Sequence, residues 1–141
     1  METKFNFKSQ MCTTVAQSER LLALGLKKDT ADMGSIRDLV HTTSKGTREV
    51  IFTFTPDNWE ANPDSIPRWS LHRLIEMLNE EMYGGLLCIF KDSIRYEEII
   101  MDRLEAHFEV VGDNMYENVI STIEWLIEEG YFNKEYLNEN I

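Results

Sequence analysis

The sequence of 141 residues lacks the marks of several protein classes. Its longest apolar run, residues 86–90, is far shorter than the roughly 20 residues that span a bilayer. Residues 1–8 show no continuous apolar core of the kind a signal peptide needs. The two cysteines, Cys12 and Cys88, form no C-x-x-C pair. These absences predict a cytoplasmic protein with reduced thiols and no membrane association.

Motifs for catalysis and for ligand binding are also missing. The three histidines are scattered, and no H-E-x-x-H or paired C-x-x-C supports a zinc site. Neither a G-x-S-x-G nucleophile motif nor a glycine-rich phosphate cradle occurs. The sequence therefore predicts no catalytic residue, no metal ligand and no cofactor, and it favours a binding protein over an enzyme.

A small ligand-binding or enzymatic domain stays open as the alternative function. Cys12 lies just before a predicted helix N-terminus, whose dipole can lower the pKa of a thiol. A buried cysteine that is simply part of the core is the more common case. Trp59 lies in the irregular connection that holds all three prolines. The alternative places its pocket near Trp59 and Cys12.

Helical periodicity and capping residues predict three helices, over residues 15–24, 71–82 and 115–129. Thr14 and Gln17 have the form of a capping box before the first helix. Ser70 is the expected N-cap of the second, and Trp69 before it fits a hydrophobic staple. Asn114 is the expected cap of the third helix.

Alternation of apolar and polar residues predicts strands over residues 49–55, 86–91, 94–100 and 104–111. Residues 94–108 also fit a helix, and the sequence leaves that choice open. Residues 27–48 are predicted to be a loop with one short helix. The order of elements favours a single α+β domain over residues 1–141, with an antiparallel β-sheet packed by about three helices.

Four stretches carry a resemblance to a known family. They read TTVAQSERLLALGL (13–26), TADM (30–33), IPRWSL (66–71) and WLIEEGY (125–131). In order and spacing they resemble a family of small uncharacterised proteins of anaerobic gut bacteria and of their phages and mobile elements. The resemblance implies a phage or mobile-element setting and brings no activity with it.

Charge is distributed unevenly along the chain. Residues 1–96 carry 12 basic and 13 acidic side chains, a net of −1, and residues 97–141 carry 2 basic and 12 acidic side chains, a net of −10; together they give the −11 of the whole chain. Such an excess of carboxylates serves either as a solubilising face or as a surface for a basic partner. It argues against direct nucleic-acid binding.

Trp125 connects this charge with a possible contact surface. Helical periodicity places it opposite the apolar stripe of the last helix, close to Glu128 and Glu129. It is either covered by residues 131–141 or exposed among carboxylates as a binding hot spot. We therefore predict an accessory protein that acts by protein–protein interaction through an acidic C-terminal surface.

The partner predicted from this surface is a basic protein or a second copy of the chain. The predicted interaction residues are Trp125, Glu117, Glu124, Glu128, Glu129, Tyr131 and Trp59.

Overall fold

Three helices pack against two small antiparallel sheets in the computed structural model, which describes residues 9–43, 46–53, 64–82 and 84–139. The helices are α1 (Val15–Ala23), α2 (Leu71–Glu76) and α3 (Met115–Glu128). The α+β class predicted from the sequence is confirmed, although the strands form two sheets rather than one.

The predicted caps are present at all three helix N-termini. Thr14 and Gln17 form the capping box, with the Thr14 hydroxyl accepting from the Gln17 amide at 3.1 Å. Ser70 Oγ accepts from the amide of Arg73, and Asn114 Oδ1 accepts from the amide of Glu117. These bonds satisfy amides that the helix itself leaves without a partner.

The second helix is shorter than predicted, because α2 ends at Glu76 rather than near residue 82. Beyond that point, Asn79 forms hydrogen bonds with residues of other elements instead of the backbone hydrogen bonds of a helix. Its carbonyl accepts from the Tyr96 hydroxyl at 2.7 Å, and its side-chain amide donates to the Tyr131 carbonyl at 2.8 Å. These hydrogen bonds to distant residues replace the ones that a longer helix, as predicted from the periodicity, would have formed within itself.

The first sheet contains β1 (Met33–Thr43), β2 (Gly46–Thr53) and β3 (Ile66–Arg68), in the order β2-β1-β3. The predicted loop with one short helix over residues 27–48 is therefore wrong for most of its length. The residues that suggested the helix, Ile36, Leu39 and Val40, lie in β1, and a 3₁₀ turn occurs earlier in the chain, at Lys28–Thr30. Met33 pairs with Thr53 on one side and with Arg68 on the other. Pairing on both edges, with the next strand β2 and with the more distant β3, stabilises a segment whose local β propensity is weak.

The second sheet is a meander of β4 (Glu81–Met82), β5 (Gly85–Phe90), β6 (Ser93–Ile100) and β7 (Arg103–Val111). Its strands pair in chain order. The prediction of three successive strands is confirmed, and residues 94–108 are strands rather than a helix. The two longest strands, β6 and β7, are joined by a two-residue turn.

Helix α3 supplies much of the core. It contacts α1 and α2 as well as strands β6 and β7. The predicted apolar stripe is confirmed, since four of its side chains are fully buried: Val119, Ile120, Ile123 and Leu126. Trp69 and Leu74, the two residues of the predicted staple, are fully buried in the same cluster.

A buried junction around Trp69 ties the N-terminal segment to the start of α2. The Trp69 carbonyl accepts from the Thr13 amide at 2.8 Å, and the Trp69 amide donates to Thr13 Oγ1 at 3.0 Å. The indole Nε1 donates to Thr30 Oγ1 at 3.0 Å. Asp32 accepts from both the amide and the hydroxyl of Ser70, at 2.8 and 2.5 Å.

We predict that Trp69→Ala lowers the free energy of unfolding by about 3–5 kcal/mol, because it removes a fully buried indole and leaves a cavity. Urea titration followed by circular dichroism measures the loss. Met11→Ala is the matched control, since Met11 is 66% exposed and its truncation changes stability by less than about 0.5 kcal/mol. A loss below about 1 kcal/mol for Trp69→Ala contradicts the central role of the junction.

Candidate functional site

Trp125 is covered by the chain itself. Its ring stacks on Phe108 with centroids 4.6 Å apart, and it lies 5.9 Å from both Tyr96 and Tyr131. The side of α3 opposite the apolar stripe is therefore turned toward strands β6 and β7. Of the two alternatives that the sequence left open, the structure shows the covered one, with the sheet rather than the C-terminal residues supplying the closest ring.

Glu117 joins α3 to α1. Its carboxylate accepts a hydrogen bond from Gln17 Nε2 at 3.0 Å and forms an ion pair with Arg20. The hydrogen bond from Gln17, followed by that from Arg20, lowers the pKa of Glu117 below its ordinary value. This contact holds two helices together, so Glu117 has an internal role in the fold.

The other predicted acids lie near the end of α3. Glu128 and Glu129 are exposed and Glu124 is half-buried. Within the described ranges, no cation forms an ion pair with any of these three carboxylates. Tyr131 is half-buried against Trp125.

The predicted alternative pocket near Trp59 and Cys12 falls partly outside the described residues. Trp59 lies outside the described residues, and Cys12 is buried. An open groove of about 780 Å³ runs beside the end of α3, but Cys12 does not line it. Cys12 and Cys88 form no disulfide.

Two kinds of site are absent from the described residues. No group of three or more histidine, cysteine, aspartate or glutamate side chains there could hold a metal ion. Nor does that part of the chain contain a helix long and apolar enough to cross a membrane.

A surface that the sequence did not single out lies on the second sheet. Strand residues alternate between two faces, and α3 packs near the face that carries Ile94, Tyr96, Phe108 and Val110. The opposite side, which we call the outer face, carries five large apolar side chains that are 47–74% exposed. They are Leu86, Phe90, Ile99, Leu104 and Val111.

A register shift explains why this surface was missed. Alternation alone places Leu104, Ala106, Phe108 and Val110 on one side of β7, but the structure divides them. Phe108 pairs with Tyr96 while Ala106 pairs with the adjacent Glu97, which leaves His107 as an extra residue. Because this bulge reverses the alternation, Leu104 and Ala106 point to the outer face.

An ionic network occupies the middle of the outer face. The Arg95 guanidinium lies 3.0 Å from Glu97 and 2.5 Å from Glu109. It also lies 5.0 Å from the ring centroid of Phe90, within cation–π range. The hydrogen bond to Glu97 raises the pKa of Arg95, with a further contribution from Glu109. One cation with two carboxylates leaves the network with a net charge of −1.

The outer face exposes much apolar surface, although not as one continuous patch. At the observed exposures its five apolar side chains present on the order of 500 Å² in total, in parts that the ionic network separates. Residues 85–111 contain six acidic and three basic side chains, a net charge of −3. The face therefore combines exposed apolar side chains with an excess of negative charge.

Comparisons of the chain with protein-family models, with curated proteins and with solved structures found no match.

We expect Trp125→Ala to lower the free energy of unfolding by about 2 kcal/mol, because it removes the half-buried ring that stacks on Phe108. Trp125→Phe keeps an aromatic ring and loses less than about 1 kcal/mol. Light scattering should give the same mass for both variants as for the parent chain. A change of mass without a change of stability shows instead that Trp125 is an intermolecular contact.

Glu117→Gln is predicted to destabilise the protein at pH 7 by less than about 1 kcal/mol, since both partners of the ion pair are partly exposed. The folded state lowers the pKa of Glu117, so the stabilisation is present above the unfolded pKa and is lost as pH falls through the folded value. Urea titrations at pH 7 and pH 3 test this. Glu128→Gln, the unpaired control, should match the parent at both values. A Glu117→Gln difference that persists at pH 3 contradicts the assignment.

Proposed function

We propose that this chain is an accessory protein of a phage or mobile element and that it binds a basic protein through the outer face of its second sheet. The sequence resemblance of the four stretches supports the setting. The observation that carries the proposed activity is the outer face itself: five exposed apolar side chains surround an ionic network that has an excess negative charge.

The apolar part of this surface supplies the binding energy. Removing on the order of 500 Å² from water gives a gross gain of about 12 kcal/mol at about 25 cal/mol per Å². Loss of translational and rotational freedom and ordering of side chains offset much of that gain. These costs are of the same order as the gain, so a specific complex requires that the partner also cover the polar residues between the apolar ones and bring the contact toward the roughly 800 Å² per partner of a standard interface.

The charge indicates which kind of partner covers the face. The net of −3 over residues 85–111 favours a protein that brings lysine and arginine side chains to the rim of the contact. A second copy of the chain brings the same negative charge, and a nucleic acid brings a phosphate backbone, so both are disfavoured electrostatically. Most of the outer face belongs to the acidic last third of the sequence.

A photo-crosslinking residue in place of Ala106, which is exposed on the outer face, identifies the partner in the native host. The captured protein is then purified and titrated against the chain by calorimetry. We expect a basic protein whose affinity falls at least about tenfold between 50 and 300 mM salt, as screening weakens the charge complementarity. A salt-insensitive complex or an acidic partner contradicts the proposal.

Substitutions on the outer face test the apolar contact directly. Ile99 and Leu104 are cross-strand neighbours, and Ile99→Lys and Leu104→Lys should each lower the affinity more than about tenfold by placing a charge in the contact. Ile51→Lys is the matched control, because Ile51 is an exposed strand residue of the first sheet. Equal affinity for all three variants, or a crosslinked homodimer as the sole product, removes the hypothesis.

A further inference from the structure

The turn between β6 and β7 has an unusual residue at its tip. Met101 and Asp102 connect the paired residues Ile100 and Arg103, and their φ angles are +50° and +63°. A two-residue turn with both central residues at positive φ is a type I′ turn, for which Asn-Gly is the preferred sequence. Methionine rarely adopts this conformation, because its Cβ crowds the backbone there.

The fold gives no compensation for Met101. Its side chain is 92% exposed, so it gains almost nothing from packing within the chain. Its backbone conformation is one that asparagine or glycine adopts at lower cost. Backbone strain that packing does not explain is found preferentially at functional positions.

A second unfavourable feature lies directly beside the turn. Glu98 and Glu105 are opposite each other in the β6–β7 ladder, and like charges at directly opposed positions are destabilising. His107 Nε2 lies 2.7 Å from Glu98 and moderates part of this repulsion. Both glutamates lie on the side of the hairpin opposite Ile99 and Leu104. With Asp102 they make up what we call the acidic collar, which borders the tip on that side, and Arg103 is the one basic residue between positions 98 and 105.

The other side of the tip is apolar. Ile99 and Leu104 are 74% and 62% exposed and pair across the hairpin, each two residues along the chain from the turn residues Met101 and Asp102. Methionine is unbranched and polarisable, and it adapts its shape to an apolar pocket at low cost. Met101, exposed at the turn between the exposed Ile99 and Leu104, is therefore suited to insert into an apolar pocket of a binding partner as an anchor residue.

We infer that Met101 is the anchor of the interaction surface and that it inserts into an apolar pocket of the basic partner. Lysine or arginine side chains at the rim of that pocket face the acidic collar. This inference rests on the proposed function and adds to it the residue and the kind of pocket. The collar disfavours an anionic lipid surface and a second copy of the chain, since both would bring negative charge against it.

The experiment uses two substitutions that improve the same turn. Met101→Asn and Asp102→Gly each introduce a residue that type I′ turns prefer, so both should raise the melting temperature. Only Met101→Asn removes the anchor, and it should weaken binding of the partner captured through position 106 at least about tenfold. Asp102→Gly should weaken it by less than about threefold, and only at low salt, because it removes one carboxylate.

Met101→Leu tests whether the anchor requires the sulfur atom or only an apolar side chain of similar size. Because leucine is apolar and similar in size, this variant should retain affinity within about threefold of the parent chain. The methyl resonance of Met101 in a ¹³C-labelled chain should shift or broaden on addition of the partner. Phosphatidylglycerol vesicles serve as a separate probe and should leave that resonance unchanged.

The outcomes distinguish the anchor from the proposed function. If Met101→Asn binds as tightly as the parent while Leu104→Lys does not, the anchor is wrong and the outer face remains the docking surface. If neither substitution affects binding, both proposals are wrong. Binding to the vesicles through Met101 overturns the inference in favour of a lipid target.

Discussion

The buried hydrogen-bonded junction around Trp69 is the constraint on which the rest of the structure depends. Main-chain bonds between Trp69 and Thr13 fix the start of α1 beside the start of α2. Asp32 and Thr30 bring the entrance to β1 to the same place. Thr13 is fully buried and Thr30, Asp32 and Ser70 are half-buried. Losing one partner would therefore leave the other unsatisfied where water reaches it poorly. Residues from three separate stretches of the chain, 13–26, 30–33 and 66–71, therefore meet at this junction.

The packing of α3 also determines where a free surface remains. Helix α3 turns its apolar stripe toward the core and Trp125 toward the second sheet, where the ring stacks on Phe108. Helix α3 thus packs on one face of that sheet. Both sides of the helix make contacts, one with the core and the other with the sheet. No described element packs on the outer face, and apolar side chains such as Leu104 and Val111 stay exposed there. The geometry that completes the core therefore leaves the outer face uncovered.

Local signals in the sequence were sufficient for part of this structure. The caps at Thr14, Ser70 and Asn114 and the alternation over residues 86–111 depend on neighbours only a few positions apart, and those predictions are confirmed. Strand β1 is stabilised by residues far along the chain, so its Gly- and Ser-containing sequence gave little indication of it. The outer face was hidden for a different reason. One extra residue at His107 reverses the sides of β7, and periodicity cannot show where such a bulge occurs.

The hairpin of β6 and β7 explains how the fold tolerates an unfavourable tip. Pairing extends from Ile100 and Arg103 to Ser93 and Val111, with Ile94 and Phe108 packed in or against the core. Register is therefore set at the end next to α3, and the strain of Met101 stays in the turn instead of shifting the strands. A tip that contributes nothing to register is free to carry residues chosen for another purpose. The end of the hairpin that packs against the core supplies the stability. The exposed end can therefore contain a methionine at positive φ and two opposed glutamates.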